Sequence, residues 1–397
     1  MTITSDDYEH EHEHEHEHEE GRETDMTDIG LMVAVLVAAC GVAWAQEHEG
    51  LKAFEQDRTD AYAKGLESYL RHGLVEEYPQ RAAKAWRRDY SSVEAFLESV
   101  ESNRQRWRAV LNPPDLAPAG EAARRAHEPL ADLGGEWVTA PLGPLDAEGL
   151  LVVPRSAQGP VALVIAQHGI GSFPERVFGI MDDGDAYHSY ARALVEAGFA
   201  VLAPMNLRSA ERRNRIERLC RLADTTLPGI ELARLERLLD VVLADPRIDA
   251  ERVGMWGVSL GGMATMFWMP LEPRIKAGVV CAWFNHRRNK MVIPDERYSC
   301  FLETAEEHAF FRGWLTEFTD HDAVALICPR PILVQTGKKD GIAWWPQVVE
   351  EFETARTHYE KLGVAERIEM DLHEGGHEAR VDSGVRFLER WLTDERP

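Results

Sequence analysis

The sequence predicts an α/β protein whose mostly parallel β-sheet carries helices on both faces and is preceded by a helical N-terminal appendage. Between residues 187 and 392, short apolar runs of strand length alternate with longer segments of helical periodicity. This alternation requires crossover connections between strands, which are typical of parallel sheets covered by helices on both faces. A chain of 397 residues accommodates one large domain of this kind plus an appendage.

The individual elements follow from this alternation and from the Gly and Pro residues that interrupt it. The predicted strands are residues 136–140, 149–153, 161–166, 199–204, 253–257, 277–283, 331–337 and 368–372. The predicted helices are residues 187–196, 227–244, 347–361 and 381–392, with a further helix-compatible segment over 263–268. No internal repeat is visible.

Residues 51–111 show helical periodicity with strong helix formers and few breakers, until Asn112-Pro113-Pro114 ends the run. Because this segment holds no catalytic constellation, we interpret it as a helical cap or collar on the main domain. We divide the chain into a low-complexity His/Glu leader or tag (1–25), a signal peptide (26–45), a helical N-terminal region (46–118) and the α/β domain (119–397).

The composition is that of a folded globular protein, with 44% apolar and 28% charged residues. Much of the formal net charge of −24 belongs to residues 1–50, which contain 14 acidic side chains and one arginine. The rest of the chain is moderately acidic and has no long run of Lys or Arg. Since phosphate backbones are bound by clustered basic residues, the sequence predicts no nucleic-acid partner.

Two features of the first 45 residues bear on processing. Residues 10–19 alternate strictly between His and Glu, so we exclude them from the fold as an engineered tag or a natural low-complexity leader. Residues 29–42 form an apolar run of the length of a secretory h-region, and Ala43-Trp44-Ala45 before Gln46 is typical of a cleavage site. The sequence therefore predicts export to the periplasm or the medium, with no stable membrane insertion after the signal is removed.

A second interpretation of the same segment is a lipoprotein signal. Val37-Ala38-Ala39-Cys40 resembles a lipoprotein signal, in which Cys40 would be acylated and would anchor the protein to a membrane. We favour soluble export over this anchor.

Four cysteines remain after the predicted cleavage, Cys220, Cys281, Cys300 and Cys328, and none has C-x-x-C spacing. This spacing excludes zinc-ribbon and dithiol redox motifs. In an oxidising compartment one or two disulfides could form, although Cys281 and Cys328 lie in apolar stretches that are typical of buried free thiols. The sequence does not define the pairing.

The strongest chemical motif is Gly257-Val258-Ser259-Leu260-Gly261, which follows an apolar strand and precedes a helix-compatible segment. A serine on such a sharp strand-to-helix turn has strained backbone and an exposed hydroxyl, and the flanking glycines let the chain close around it. Ser259 is therefore our candidate nucleophile. The alternative is a serine in an ordinary Gly-rich turn.

A serine nucleophile needs a base oriented by a third group, and the chain supplies both in order. Asp340 follows a buried strand, at the sheet edge where open α/β proteins build their sites. His377 lies in a Gly-rich loop between the last strand and the last helix, with His373 as its competitor. The order Ser259, Asp340, His377 is that of the α/β-hydrolase triad. The alternative interpretation of Asp340 is a solvated aspartate in a turn.

Acyl transfer also needs N–H donors for the developing oxyanion. Leu260 supplies one backbone N–H directly after the nucleophile. The second is expected from Gln167-His168-Gly169-Ile170-Gly171, the loop after strand 161–166, with Ile170 as the donor. We expect His168 to brace this loop by hydrogen bonds rather than to take part in the chemistry.

Residues 119–397 resemble the α/β-hydrolase superfamily, and within it the dienelactone-hydrolase-like and acetyl-xylan-esterase-like serine hydrolases. The residues that carry the resemblance are His168-Gly169, the strand 200–204, Ile248-Asp249 before Arg252-Val253-Gly254, Ser259 in its elbow, Cys328-Pro329-Arg330-Pro331 and Gly375-Gly376-His377. The resemblance implies a carboxylic ester hydrolase that works through an acyl-enzyme. Dienelactone hydrolases proper have cysteine at the position of Ser259, and the similar glucuronoyl esterases have arginine where Leu260 stands.

Aromatic side chains surround the predicted site in the sequence. We expect part of the pocket wall from the stretch between the strands at 277–283 and 331–337, and a contribution from Trp344 and Trp345 after Asp340. The stretch contains Trp283, Phe284, Phe310, Phe311 and Trp314. The basic cluster His286-Arg287-Arg288 is expected to be solvated, although a substrate carboxylate is the alternative partner.

The sequence thus predicts a serine carboxylic ester hydrolase for small or short-chain acyl esters, acetyl-type and including carbohydrate-linked ones. Its partner is a small-molecule ester, and the chemistry needs no metal and no organic cofactor. Two alternatives remain open. One is a serine peptidase of the prolyl-oligopeptidase type, which would need a propeller that the sequence does not show; the other is a catalytically silent hydrolase-like binding module. Oligomeric state cannot be predicted from this pattern.

Overall fold

A computed structural model describes residues 26–181 and 186–393. The leader predicted over residues 1–25 lies outside this range. The chain divides into two compact units, one up to Tyr69 and one from Leu70 onward. The described part of the first unit is helical, and the second unit contains the β-sheet.

The elements, in chain order, are as follows. The strands are β1 (Ala123–Ala126), β2 (Glu136–Leu142), β3 (Leu145–Val152), β4 (Val161–Gln167), β5 (Ala200–Pro204), β6 (Ile248–Val258), β7 (Ile275–Cys281), β8 (Ile332–Gly337) and β9 (Ile368–His373). The helices are α1 (Met26–Val75), α2 (Tyr78–Ala85), α3 (Val93–Leu111), α4 (Tyr190–Glu196), α5 (Ala210–Leu222), α6 (Leu227–Val242), α7 (Leu260–Trp268), α8 (Arg287–Val292), α9 (Trp314–Glu317), α10 (Asp320–Ile327), α11 (Trp345–Lys361) and α12 (Val381–Leu392). Short 3-10 turns lie at Glu128–Leu130, Pro174–Phe178, Phe301–Glu303, Glu307–Ala309 and Ala365–Arg367.

The described strands form one sheet in the order β1-β2-β3-β5-β4-β6-β7-β8-β9. The β1–β2, β2–β3 and β3–β5 pairs are antiparallel. Strands β5, β4, β6, β7, β8 and β9 run parallel to one another. Parallel strands end at the same edge of a sheet, so the segments that follow β4, β6, β8 and β9 meet there. The predicted mostly parallel α/β architecture is confirmed.

Side chains of the central strands alternate between two apolar cores, one on each face of the sheet. On β4, Leu163 and Ile165 pack with α3, α6, α7, α10 and α11, whereas Val164 and Ala166 pack with α4 and α12. This period of two is what a strand buried on both faces requires. Burial on both faces also explains why β4 is a continuous apolar run in the sequence.

Helix α3 is part of the larger core. Ser92 caps its first turn, its hydroxyl accepting a hydrogen bond from the Ala95 N–H, and Asn112 ends the helix in the left-handed conformation (φ 41°). Trp107 is fully buried, donates its indole N–H to the Phe267 carbonyl (3.0 Å) and meets the Phe267 ring edge-on. Residues of the predicted collar thus complete the apolar core that covers one face of the sheet.

Helix α1 continues through the segment predicted as a signal peptide. From Leu31 onward its apolar portion is exposed, and the helix is long and apolar enough to cross a membrane, by length and composition. A signal sequence near an N-terminus has the same properties. Within the described residues, no other helix does.

The sequence did not predict β1, α5, α8, α9 or α10. Strand β1 is short and basic and lies at the sheet edge, so it lacks an apolar run. Helix α10 is fixed by a capping box between Thr319 and Asp322. The cysteines at 220, 281, 300 and 328 are buried and free.

Candidate active site

The candidate nucleophile stands at the junction of β6 and α7. Ser259 follows the last residue of β6 directly and has φ 60° and ψ −119°, a conformation that non-glycine residues rarely adopt. Such strain persists only where surrounding structure holds it and is typical of functional sites. The Ser259 backbone is held by its N–H, which donates to the Cys281 carbonyl at the end of β7 (2.9 Å).

The glycines on either side of Ser259 are required by close backbone contacts. A Cβ at position 257 would lie 1.9 Å from the Gly261 carbonyl oxygen, and one at position 261 would lie 2.1 Å from the Gln167 carbonyl oxygen. Neither contact can be relieved by moving a flexible side chain. The G-x-S-x-G pattern therefore reflects the tight packing of this turn against the end of β4.

Asp340 and His377 form a direct pair. Asp340 lies just beyond β8 and is buried, and its Oδ2 is 2.8 Å from His377 Nδ1. Its Oδ1 accepts the Ile342 N–H (3.0 Å), so both carboxylate oxygens have donors. His377, between β9 and α12, keeps part of its ring exposed.

His373, the competing histidine, is directed elsewhere. Its Nδ1 accepts a hydrogen bond from the Gly375 N–H (3.1 Å), and burial lowers the pKa of its imidazole. It is the last residue of β9 rather than a residue of the loop beyond it. The structure thus pairs Asp340 with His377.

Ser259 and the His377 loop are both hydrogen-bonded to Cys281. The Cys281 carbonyl accepts the Ser259 N–H, and its thiol donates to the Glu378 carbonyl (3.2 Å). Among the described residues, no hydrogen bond joins the Ser259 hydroxyl to His377. In enzymes without substrate such bonds are often long and shorten only in the reacting complex.

The two candidate oxyanion donors flank the same cavity as Ser259. Leu260 opens α7, where the first N–H groups of a helix have no partner within the helix. Ile170 lies in the loop after β4, and both residues line the cavity with Ser259. A Cβ at Gly169 would lie 3.2 Å from Ser259 Cβ, which shows how closely this loop approaches the nucleophile.

His168 braces this loop, as expected. It is buried, its Nδ1 lies 2.9 Å from the Gly169 carbonyl oxygen, and its Nε2 accepts the Asn206 N–H (3.3 Å). Burial lowers the pKa of this imidazole to about 4, so the ring is neutral at pH 7. The neutral tautomer with the proton on Nδ1 satisfies both contacts.

The cavity beside Ser259 is small, at about 40 Å³. Its apolar wall includes Trp283, Phe284 and Phe301 from the stretch between β7 and β8. Phe311 and Trp314 pack instead in the core against Phe267. Trp344 and Trp345 are not among the residues that line this cavity, and Trp344 instead lies against the Arg297 guanidinium (3.8 Å from the ring centre).

The cavity wall also contains the charged residues Arg287, Lys290 and Glu306, whose burial the sequence did not predict. Arg287 is 1% exposed and forms a bidentate pair with buried Asp320 (2.9 and 2.7 Å), so the expected solvated basic cluster is wrong for this residue. Lys290 donates to the Ser299 hydroxyl (2.7 Å) and to the carbonyls of Ser299 and Ile342. Burial lowers its pKa to about 8. Burial also raises the pKa of Glu306.

Within residues 26–181 and 186–393, no group of three or more His, Cys, Asp or Glu side chains is arranged to hold a metal ion.

Comparisons with known proteins point to the same architecture. No model of a protein family matches the chain. The chain is 24% identical over 308 residues to the Bacillus subtilis (strain 168) protein named "Putative hydrolase YtaP", covering 74% of this chain and 99% of that protein.

Many solved structures share the fold, including the following three. A crystal structure described as "a putative acetyl xylan esterase" from Bacteroides fragilis NCTC 9343 has a TM-score of 0.59 and 18% identity, covering 77% of this chain and 81% of that one. A glucuronoyl esterase from Solibacter usitatus has a TM-score of 0.56 and 15% identity (76% and 95% covered). One from Teredinibacter turnerae T7901 has a TM-score of 0.54 and 17% identity (78% and 90% covered).

The sheet order and these likenesses define the class of the protein. The chain has the α/β-hydrolase fold, as predicted, and its structural neighbours include glucuronoyl esterases and the protein described as "a putative acetyl xylan esterase". Identities below 25% establish the fold and leave the chemistry to be argued from the site.

Proposed function

We propose that this protein is a serine carboxylic ester hydrolase that works through an acyl-enzyme. The observation that carries the proposal is the Asp340–His377 pair at the sheet edge where Ser259 occupies a strained elbow. A nucleophile, a base and a group that orients the base are the parts that acyl transfer needs. The likeness to a protein named as a hydrolase and to esterase structures supports the same assignment.

In the proposed mechanism, Ser259 Oγ attacks the ester carbonyl carbon while His377 Nε2 accepts the hydroxyl proton. Asp340 holds the His377 Nδ1–H and stabilises the imidazolium that forms. The N–H groups of Leu260 and Ile170 donate to the developing oxyanion. His377 then gives its proton to the leaving alkoxide. In the second half, water attacks the acyl-enzyme with His377 as base.

The preferred substrates in this proposal are esters of short acyl groups. A cavity of about 40 Å³ next to Ser259 favours an acetyl-sized group over a long chain. The likeness to a structure described as "a putative acetyl xylan esterase" and to glucuronoyl esterases supports a carbohydrate-linked ester. Leu260 follows the serine here, so arginine, which glucuronoyl esterases carry at this position, is absent.

Export by residues 26–45 is part of the proposal. The apolar portion of α1 supports a signal sequence by its length and composition. The mass of the mature protein from the native host tests this directly. Cleavage after Ala45 supports soluble export, cleavage before an acylated Cys40 indicates a lipid anchor, and an uncut chain contradicts both.

The proposal is tested with p-nitrophenyl esters from acetyl to long-chain acyl groups. The full chain and its Ser259→Ala variant are compared, with Ser156→Ala, an exposed serine between β3 and β4, as the matched control. We expect cleavage of short esters, a loss of at least about a thousandfold in Ser259→Ala and no change in the control. Cleavage of p-nitroanilides in place of esters would identify a peptidase. If the unaltered chain and both variants cleave neither kind of substrate, a binding module is favoured.

A further inference from the structure

We infer that His188 is a positioning residue that holds His377 through the carboxylate of Glu378. The inference rests on the proposed function, in which His377 is the base. It is carried by the contacts of residues 186–189, here named the 186–189 turn, which lies just before α4. This turn contacts the two loops that build the candidate site.

The first set of contacts lies within the His377 loop. Glu378 follows His377 directly, and its Oε1 accepts the Gly376 N–H (3.0 Å). A Cβ on Gly375 would lie 1.7 Å from the same oxygen, so the carboxylate folds back over Gly375 and occupies the space that a side chain there would need. The Glu378 side chain therefore closes the loop that carries His377.

The second set of contacts ties this loop to the 186–189 turn. Nε2 of His188 is 2.6 Å from Glu378 Oε2, so the imidazole N–H donates to the carboxylate. The Ala379 N–H donates to the Ala186 carbonyl (2.8 Å). One side-chain contact and one backbone contact thus hold Glu378 and Ala379 against the turn. The hydrogen bond from His188 also lowers the pKa of Glu378, which keeps this acceptor ionised.

The same turn supports the candidate oxyanion loop. The Tyr187 hydroxyl accepts the Gly169 N–H (2.8 Å), one residue before Ile170. Tyr187 therefore contacts the candidate oxyanion loop, and His188, the next residue, contacts the His377 loop. The Ser259 N–H and the Glu378 backbone carbonyl are both hydrogen-bonded to Cys281, which fixes the backbone directly after His377 beside the nucleophile. The Glu378 carboxylate fixes the backbone directly before His377 through the Gly376 N–H, so a shift of this carboxylate would move His377 relative to Ser259.

Backbone strain in the turn supports a functional role. His188 and Ser189 both adopt positive φ, 49° and 52°, which is uncommon for residues other than glycine. Such a conformation persists only where surrounding contacts fix it. A Cβ at Gly179 would lie 2.1 Å from the Ser189 hydroxyl oxygen and 3.1 Å from its Cβ, so Gly179 lies close against this turn.

The experiment compares kcat and KM for p-nitrophenyl acetate in His188→Ala, His188→Gln and Glu378→Gln with the unaltered full chain. We expect His188→Ala to lower kcat about 10- to 100-fold with little change in KM, because a misplaced base slows proton transfer without weakening binding. Gln at position 188 keeps an N–H donor and should restore part of kcat. His127→Ala removes a His–Glu contact of similar length (2.9 Å to Glu175) that lies away from the cavity, and is the matched control.

A readout that does not depend on turnover separates this inference from the proposed function. The proton shared by His377 and Asp340 is followed by its far-downfield proton NMR resonance, assigned by its loss in Asp340→Asn. We expect the resonance to shift or broaden in His188→Ala and to be unchanged in His127→Ala. If His188→Ala does not fold, as judged by circular dichroism, Glu378→Gln supplies both readouts.

The outcomes are distinct. Unchanged kcat together with an unchanged resonance in His188→Ala overturns the inference and leaves the esterase proposal standing. An unaltered protein that cleaves no ester contradicts the proposed function, while the resonance still reports whether His188 positions His377. Equal losses of kcat in His188→Ala and His127→Ala would mean a general stability effect, and would also overturn the inference.

Discussion

His377 is joined to Asp340 by a 2.8 Å contact between Nδ1 and Oδ2, although 37 residues separate the two in the chain. The parallel arrangement of β8 and β9 brings them together, since Asp340 follows one strand and His377 follows the other. Asp340 is buried and its second oxygen is occupied by a backbone N–H. The pair is therefore fixed in position before any substrate arrives.

Removing the charge of Asp340 should impair turnover while preserving the fold. We expect Asp340→Asn to lower kcat for p-nitrophenyl acetate by about 10³- to 10⁴-fold, because the amide favours the wrong imidazole tautomer and cannot stabilise the imidazolium. The control is Asp382→Asn, an exposed carboxylate in the first turn of α12. Activity within tenfold of the unaltered enzyme in Asp340→Asn would exclude Asp340 as the triad acid.

The two histidines near the end of β9 should behave differently. We expect His377→Ala to lower kcat at least about a thousandfold, whereas His373→Ala should retain most of it, because His373 contacts the Gly375 N–H rather than Asp340. Steady-state kinetics on both variants decides this. The reverse ranking would show that His373 is the base.

Packing at the elbow predicts a stability effect. Gly261→Ala should lower the free energy of unfolding by at least about 2 kcal/mol, because its Cβ would lie 2.1 Å from the Gln167 carbonyl oxygen. Gly159→Ala is the matched control, since nothing lies within 4 Å of a Cβ there, and it should change stability by less than about 1 kcal/mol. Urea denaturation measures both. Equal changes in the free energy of unfolding of the two variants would contradict tight packing at the elbow.

A buried carboxyl predicts a pH dependence of stability. Glu217 on α5 is fully buried, and burial raises its pKa to about 7. The folded state then binds a proton that the unfolded chain releases between about pH 4.5 and 7, so this group destabilises the fold progressively as the pH rises through that window. Glu217→Gln should therefore stabilise the protein at pH 8, by up to about 3 kcal/mol, with the gain shrinking toward pH 5.

Thermal or urea unfolding at both pH values checks this expectation. The control is Glu211→Gln, an exposed residue on the same helix, for which no such pH-dependent gain is expected. A gain in Glu217→Gln that is the same at pH 5 and pH 8 would show that Glu217 is ionised in the folded protein at both.

The sequence predicted elements whose apolar pattern is strong. Strands buried on both faces, such as β4, are continuous apolar runs, and the ends of β6 and β8 placed Ser259 and Asp340 at one edge of the sheet. His377 follows the edge strand β9, in which apolar and polar residues alternate. Short elements without that pattern were missed. Strand β1 is made of Ala and Arg at the sheet edge, and α10 depends on a capping box as well as on tertiary packing.

Charged groups in the core could not be predicted, because their partners are remote in the sequence. Arg287 is buried since Asp320, 33 residues later, pairs with it and the Trp283 ring lies 4.2 Å from its guanidinium. A pattern of adjacent His and Arg residues contains no sign of that partner. For the same reason, the contact between His188 and Glu378, 190 residues apart, became visible only in the structure.

The most direct test of the account is to locate the nucleophile by covalent trapping. The full chain is incubated with a fluorophosphonate, and the adduct is mapped by peptide mass spectrometry in the unaltered protein and in His377→Ala. We expect one adduct per chain, on Ser259, formed much more slowly without His377. An adduct on another residue, or none in a folded protein, would contradict it.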